Sequence, residues 1–169
     1  MHGVKWGKSR RQIQRLTYHY TIIRSVIELA IIGYLIYLSI YDIRHHKVTN
    51  NSVLMYVPIV TLKCTVEVCL GTLFDYVPML LGAAAGFAIL LSAAMLTHGG
   101  IGGGDIKLAA VLGLAAGLEG MLVTLVVASL GAAIYGIVQK KIFKKEKLAI
   151  AFVPFMLAGY VVALLTGFC

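Results

Sequence analysis

The sequence predicts an all-α, polytopic transmembrane bundle of about six spans, and three observations carry that expectation. The 169 residues are 60% hydrophobic and 13% charged, against about 25% charged in soluble domains. A soluble core of this size cannot hide so much apolar surface, so lipid must cover much of it. Apolar segments of membrane-spanning length also recur along the chain as far as residue 168, which excludes a signal peptide or a lone anchor ahead of a soluble domain.

The spans follow in order. A helix needs about 20 apolar residues to cross a bilayer, with a working range of roughly 17 to 25. Residues 25–41 (SVIELAIIGYLIYLSIY) make a first span that ends at Asp42. Residues 51–70 make a poorer second one, interrupted by Pro58, Lys63 and Glu67. Residues 77–97 (VPMLLGAAAGFAILLSAAMLT) are the clearest third. Residues 106–118 (IKLAAVLGLAAGL) form a short fourth, followed by 120–138 and 149–168. Residues 1–24 are set apart as a basic segment, and 25–169 form the transmembrane domain. Gly82-x-x-x-Gly86 and Gly113-x-x-x-Gly117 each put two glycines on one helix face. Such faces permit close backbone packing, although a Gly- and Ala-rich composition alone also produces them.

The formal charge of +8 is clustered, with six Lys or Arg before residue 25 and five lysines between Lys140 and Lys147. Clusters that flank apolar segments report topology and contact with anionic lipid headgroups. Nucleic acid is not an expected partner, because no soluble domain exists to form a basic face. If the loops at 42–50 and 139–148 face the cytoplasm, they hold Arg44, Lys47 and the five lysines. The opposite loops then hold Glu67, Asp75 and Glu119. Six spans place Asp42 and Asp105 together on the cytoplasmic side. The N-terminal charges (Lys5, Lys8, Arg10, Arg11, Arg15 and Arg24) then fall outside, against the rule. A surface-lying helix through RRQIQRLTYHYTIIR or an additional crossing would reconcile them, and the sequence does not choose. Cys64, Cys69 and Cys169 are odd in number and lack C-x-x-C spacing. They read as small apolar fillers, with a Cys64–Cys69 disulfide as an unsupported alternative.

An ionisable residue near the membrane interior is costly, and by default it marks function with a nameable partner. Asp42 closes the first span in LSIYDIRHHKVTN, and Asp105 follows five glycines in GGIGGGDIK to start the fourth. Each has a plain structural reading on its own. Asp42 is a helix-end carboxylate for Arg44 or Lys47, and Asp105 is the N-cap of IKLAAVLGL. Together they read differently. Two carboxylates at one depth on adjoining helices can share a proton, since like charges that close do not both ionise. The ionised member then takes a proton from water while the protonated one polarises a carbonyl. That chemistry needs no metal, no cofactor and no covalent intermediate.

Non-helical backbone at membrane depth must be satisfied by protein or by a water-filled cavity. The glycines before Asp105 therefore read as making room for an extended peptide that pairs by strand-like hydrogen bonds. Neither G-x-G-x-x-G nor a phosphate-loop pattern can be read through them. His45, His46 and His98 read as loop histidines, with His98 placed to tune Asp105 as the alternative. Lys107 reads as a lipid-snorkelling lysine and Tyr41 as an interface anchor.

On these residues the chain resembles the type IV prepilin peptidase family, membrane aspartic proteases with a G-x-G-D motif. GGGDIKLAAVLGLAAG (102–117) carries Gly102, Gly104 and Asp105 in the defining places, followed by Lys107. YDIRHHKVTN (41–50) is similar to the family's first motif, an aspartate followed by I/V-P-N; here the tripeptide is Val48-Thr49-Asn50, without the proline. IAFVPFMLAG (150–159) resembles the P-F segment near the final span. The resemblance covers roughly residues 25–168. It implies Asp42 and Asp105 as catalytic residues and prepilin-like precursors as protein partners beside membrane lipids. Cleavage would fall at the cytoplasmic face of the cell's inner membrane, after a basic leader that ends in glycine. Many members also carry a cysteine-rich zinc segment and a methyltransferase domain. This chain shows neither, so N-methylation is not expected, and it resembles the short, peptidase-only members of tight-adherence pilus systems and the archaeal preflagellin peptidases. Two rival readings remain: an intramembrane protease of the presenilin and signal-peptide-peptidase type, and a small transporter whose broken helix binds an ion.

Overall fold

The computed structural model describes residues 4–45, 48–70, 76–97, 101–143 and 151–168. They form five α-helices: α1 (Val4–His45), α2 (Asn50–Leu70), α3 (Tyr76–Leu96), α4 (Gly103–Phe143) and α5 (Val153–Thr166). No strand occurs among the described residues, as the all-α expectation requires. Asp75, His46, Lys47, His98, Gly99, Gly100 and the lysines at 144, 145 and 147 lie outside them.

The expected six spans do not emerge as six separate helices. Among the described residues, three stretches are long and apolar enough to cross a membrane: Thr21–His45, Tyr76–Leu96 and Gly103–Lys141. α5 is apolar but has 14 residues, short of the ~20 a perpendicular crossing takes. The expected fourth and fifth segments both belong to α4, which is broken at Gly117 (φ 69°, ψ −178°). Glycine takes that left-handed φ without the steric cost a Cβ would bring. At the other end, α1 runs 42 residues without a break at position 24. The basic segment therefore extends the first helix rather than forming a helix of its own.

Close backbone packing sets the arrangement. Gly82 of α3 lies against the backbones of Gly113 and Gly117, and Gly86 against Ala109. The glycine faces expected to permit close packing thus do so, and α3 runs antiparallel to the first half of α4. Gly86 also touches the Cε of Met121. Ala109 and Met121 would be about 18 Å apart along a straight helix, so α4 folds back at Gly117 and its halves lie side by side. The second half then packs against α5, through Gly159 on the Thr124 backbone and Gly131 on Phe155. Small residues suit these crossings, because lipid supplies no hydrophobic drive and backbones must approach closely to gain dispersion energy.

Ile31, Leu35, Leu38, Leu108, Leu112 and Met156 are almost wholly buried in the centre. Leu29, Ile40, Leu54, Leu62, Leu80 and Leu165 point outward with half or more of their surface exposed, the belt that acyl chains would cover. The charges that seemed to interrupt α2 are accommodated inside. Lys63 is 2% exposed, with its Nζ on Glu28 Oε1 of α1 and on the carbonyl of Ala115. Cys64 is a free thiol beside the core, with its Sγ 3.8 Å from the carbonyl of Leu114.

Candidate active site

Asp42 sits in the last turn of α1 and is only 3% exposed. A carboxylate buried there needs donors, and one comes from α5. The N–H of Val153 donates to Asp42 Oδ2 at 3.1 Å. Local sequence explains why that N–H is available. A helix leaves its first N–H groups without intrahelical acceptors. In α5, Phe155 and Met156 donate to the carbonyl of Phe152, Pro154 has no N–H to offer, and Phe152 supplies no side-chain cap. Val153 remains, and Asp42 takes the place of its cap across the bundle. The positive end of the α5 dipole points at the same carboxylate.

Asp105 occupies the first turn of α4. It is not the N-cap expected from sequence: the carbonyl of Gly102 accepts from the N–H groups of Asp105 and Ile106, at 3.0 and 3.4 Å. Its Oδ2 lies 3.4 Å from where a Cβ on Gly102 would stand, and its Oδ1 is buried without a hydrogen-bond partner. The two carboxylates are close enough to interact electrostatically. Segments 63 residues apart in sequence are thereby joined in one polar focus at the end of an apolar bundle.

The rest of both motifs meets beside this pair. Val48 lies against Gly104, with its carbonyl where a side chain at 104 would have to go. Tyr41 and Thr49 bring their hydroxyls to 3.3 Å, and the Tyr41 ring stacks on His45 at 4.3 Å between centroids. Lys107 donates from Nζ to Asn50 Oδ1 at 2.9 Å. Lys107 is exposed, but its ammonium has this protein acceptor rather than lipid alone, so the snorkelling expectation is revised. Arg44, the partner considered for Asp42, is exposed.

The glycines also separate by role, which the sequence did not distinguish. Gly104 permits close approach of the α1–α2 connection, whereas Gly102 leaves room for the Asp105 carboxylate. Gly103 has nothing within 4 Å of an added Cβ. Neither Gly103 nor Gly104 is open backbone; both belong to α4. Among the described residues, the space expected for a peptide is therefore filled at 104 by Val48 and stays open at Gly103. Gly104→Ala should accordingly lower the melting temperature, through a loss of about 1–3 kcal/mol typical of overpacking. Gly103→Ala should raise it slightly, since Ala exceeds Gly in helix propensity by about 1 kcal/mol. Equal melting of the two variants would contradict this division.

Sequence reasoning missed Val153 and Asn50. The first acts through its backbone and has no side-chain signature; the second was visible only as part of the Val48-Thr49-Asn50 tripeptide. Chemically, two carboxylates close enough to repel each other do not both ionise easily. A pair in that state can activate water and polarise a carbonyl at once.

Two comparisons with known proteins return a match. A family model described as the type IV leader peptidase family matches residues 29–137, a range that contains both aspartates. The prepilin leader peptidase/N-methyltransferase of Bacillus subtilis (strain 168) is 33% identical over 139 residues, 80% of this chain and 54% of that protein. The chain thus spans about half the length of this curated relative. No solved structure matches it.

Proposed function

Since the chain belongs to the type IV leader peptidase family, we propose that it is a membrane aspartic endopeptidase that removes the leader of prepilin-like precursors. The observation that carries this reading is the meeting of Asp42 and Asp105, from two separate motifs, around one buried polar focus. The ionised member of the pair takes a proton from a water molecule, which attacks the scissile carbonyl carbon. The protonated member donates toward the carbonyl oxygen as it becomes an oxyanion, and the collapsing intermediate passes a proton to the leaving amine. The Val153 N–H holds one Asp42 oxygen in place throughout. The unpartnered Oδ1 of Asp105 has a lone pair left to meet water or substrate.

Cleavage is assigned to the cytoplasmic face of the membrane. The last turn of α4 carries Lys140 and Lys141, and its fold-back at Gly117 returns that turn to the end of the bundle where Asp105 begins. Arg44 follows Asp42 at the same end. Positive charge flanking spans favours the cytoplasmic side. The fold-back also supports six passes through the bilayer, with α4 contributing two.

The test is a cleavage assay on the purified protein in detergent. Its substrate is a precursor with a basic leader that ends in glycine ahead of an apolar helix. Scission after that glycine, undiminished by exhaustive chelation of divalent metal, is the expected result. A precursor left intact would defeat the reading. Asp105-dependent binding of a monovalent cation without cleavage would favour a transporter instead.

A further inference from the structure

The peptidase mechanism leaves one group of buried ionisable side chains unused, at the opposite end of the bundle from Asp42 and Asp105. Lys63 is its centre. The Nζ contacts Glu28 Oε1 and the carbonyl of Ala115, and lies 3.9 Å from Glu67 Oε1. Glu28 in turn accepts from the Tyr160 hydroxyl at 2.6 Å through Oε2. Arg24 Nε lies 3.9 Å from Glu67 Oε1. The group therefore ties together α1, α2, α4 and α5.

Its position on α4 explains why a lysine is there. The break at Gly117 ends the first half of α4, and the final carbonyls of a helix lack intrahelical donors. A cation at such an end satisfies an orphan carbonyl and complements the negative end of the dipole. Lys63 does so at Ala115, two residues before the break. Burying a lysine and a carboxylate is expensive, and well-packed apolar residues of similar size often serve stability as well or better. Stability alone therefore does not account for the group.

Each helix that meets Lys63, directly or through Glu28, carries a part of the candidate site at its far end. About 21 Å of α1 separates Glu28 from Asp42, about 15 Å of α4 separates Ala115 from Asp105, and about 10 Å of α5 separates Tyr160 from Val153. We infer that Lys63 is a positioning residue, the common anchor that sets the axial register of α1, α4 and α5 and so the separation of the two aspartates. The inference rests on the peptidase reading for its consequence and on the contacts of Lys63 for its geometry, so the two are tested apart.

The decisive variant is Glu28→Gln with Lys63→Met, which removes both charges and leaves the Arg24–Glu67 pair in place. It is expected to fold with a melting temperature near that of the wild type. Its kcat for precursor cleavage should fall at least tenfold with KM within twofold, since a misplacement of about 1 Å between reacting groups can cost 10²-fold. Wild-type kcat in the folded double variant would overturn the inference while leaving the peptidase reading intact. If the double variant fails to fold, Tyr160→Phe removes only the hydroxyl on Glu28 and is expected to lower kcat severalfold, again at constant KM. If the wild type cleaves nothing, the peptidase reading fails, and geometry decides the anchor alone. Spin labels at Ile43→Cys and Gly103→Cys, in a background free of native cysteines, report the distance between the ends of α1 and α4. Ile43 is 54% exposed and Gly103 has open space around it. The double variant should shift or broaden that distance distribution. An unchanged distribution would count against Lys63 as the anchor.

Discussion

Replacing Asp105 by asparagine is expected to lower kcat for precursor cleavage by ~10²–10⁴-fold, the range general acid–base groups supply. Asp42→Asn is expected to do the same. An amide neither takes a proton from water nor donates one as a carboxylic acid does, so either change removes a step the pair performs jointly. The double variant should be no worse than the poorer single one, because residues that act as a unit are not additive. Folding is expected to survive both changes. An asparagine at 42 retains a side-chain oxygen that can accept from the Val153 N–H, and Asp105 Oδ1 has no protein partner to lose. Circular dichroism and melting in detergent check that point alongside the kinetics. Cleavage at the wild-type rate by either single variant would remove the dyad from the mechanism.

The second large effect falls on the fold. Gly82→Leu should yield no folded protein, because a side chain at 82 meets the backbones of Gly113 and Gly117 rather than a mobile side chain. Ordinary overpacking of a core costs about 1–3 kcal/mol, with neighbours that shift. Here the neighbours are the two residues that shape the fold-back of α4, so relief requires moving half of that helix. Gly33→Ala is the matched control, with nothing within 4 Å of the added Cβ. Monodispersity and thermal unfolding of the detergent-solubilised variants measure both. If Gly82→Leu unfolds within a few degrees of the wild type, α3 does not pack against α4 through this crossing.

What the sequence made legible was what side chains announce. Asp42 and Asp105 stood out because carboxylates are rare in apolar surroundings, and they lie close enough to interact electrostatically. Gly82, Gly86, Gly113 and Gly117 showed their spacing, and Gly82 does meet the backbones of Gly113 and Gly117, with Gly86 against Ala109. Three things stayed hidden for physical reasons. One donor to Asp42 is a backbone N–H, left over because Pro154 cannot supply one and Phe152 does not cap, and any residue but proline at 153 would offer it. Lys63 and Glu28 are 35 residues apart, and of the two only Lys63 draws notice, as an interruption of the second span, since pairing across a bundle has no local period. The junction of the fourth and fifth segments reads as a loop at Glu119, whereas the break falls at Gly117. A single left-handed glycine turns the chain there without one.

The bond between Val153 and Asp42 spans 111 positions of the chain, and this orders events during synthesis. The ribosome makes Asp42, Asp105 and the helices that bear them well before α5 exists. Until α5 inserts and docks, Asp42 lacks its amide donor and the pair is unfinished. On the proposed reading, the nascent chain would therefore lack a finished pair until the last of these helices docks.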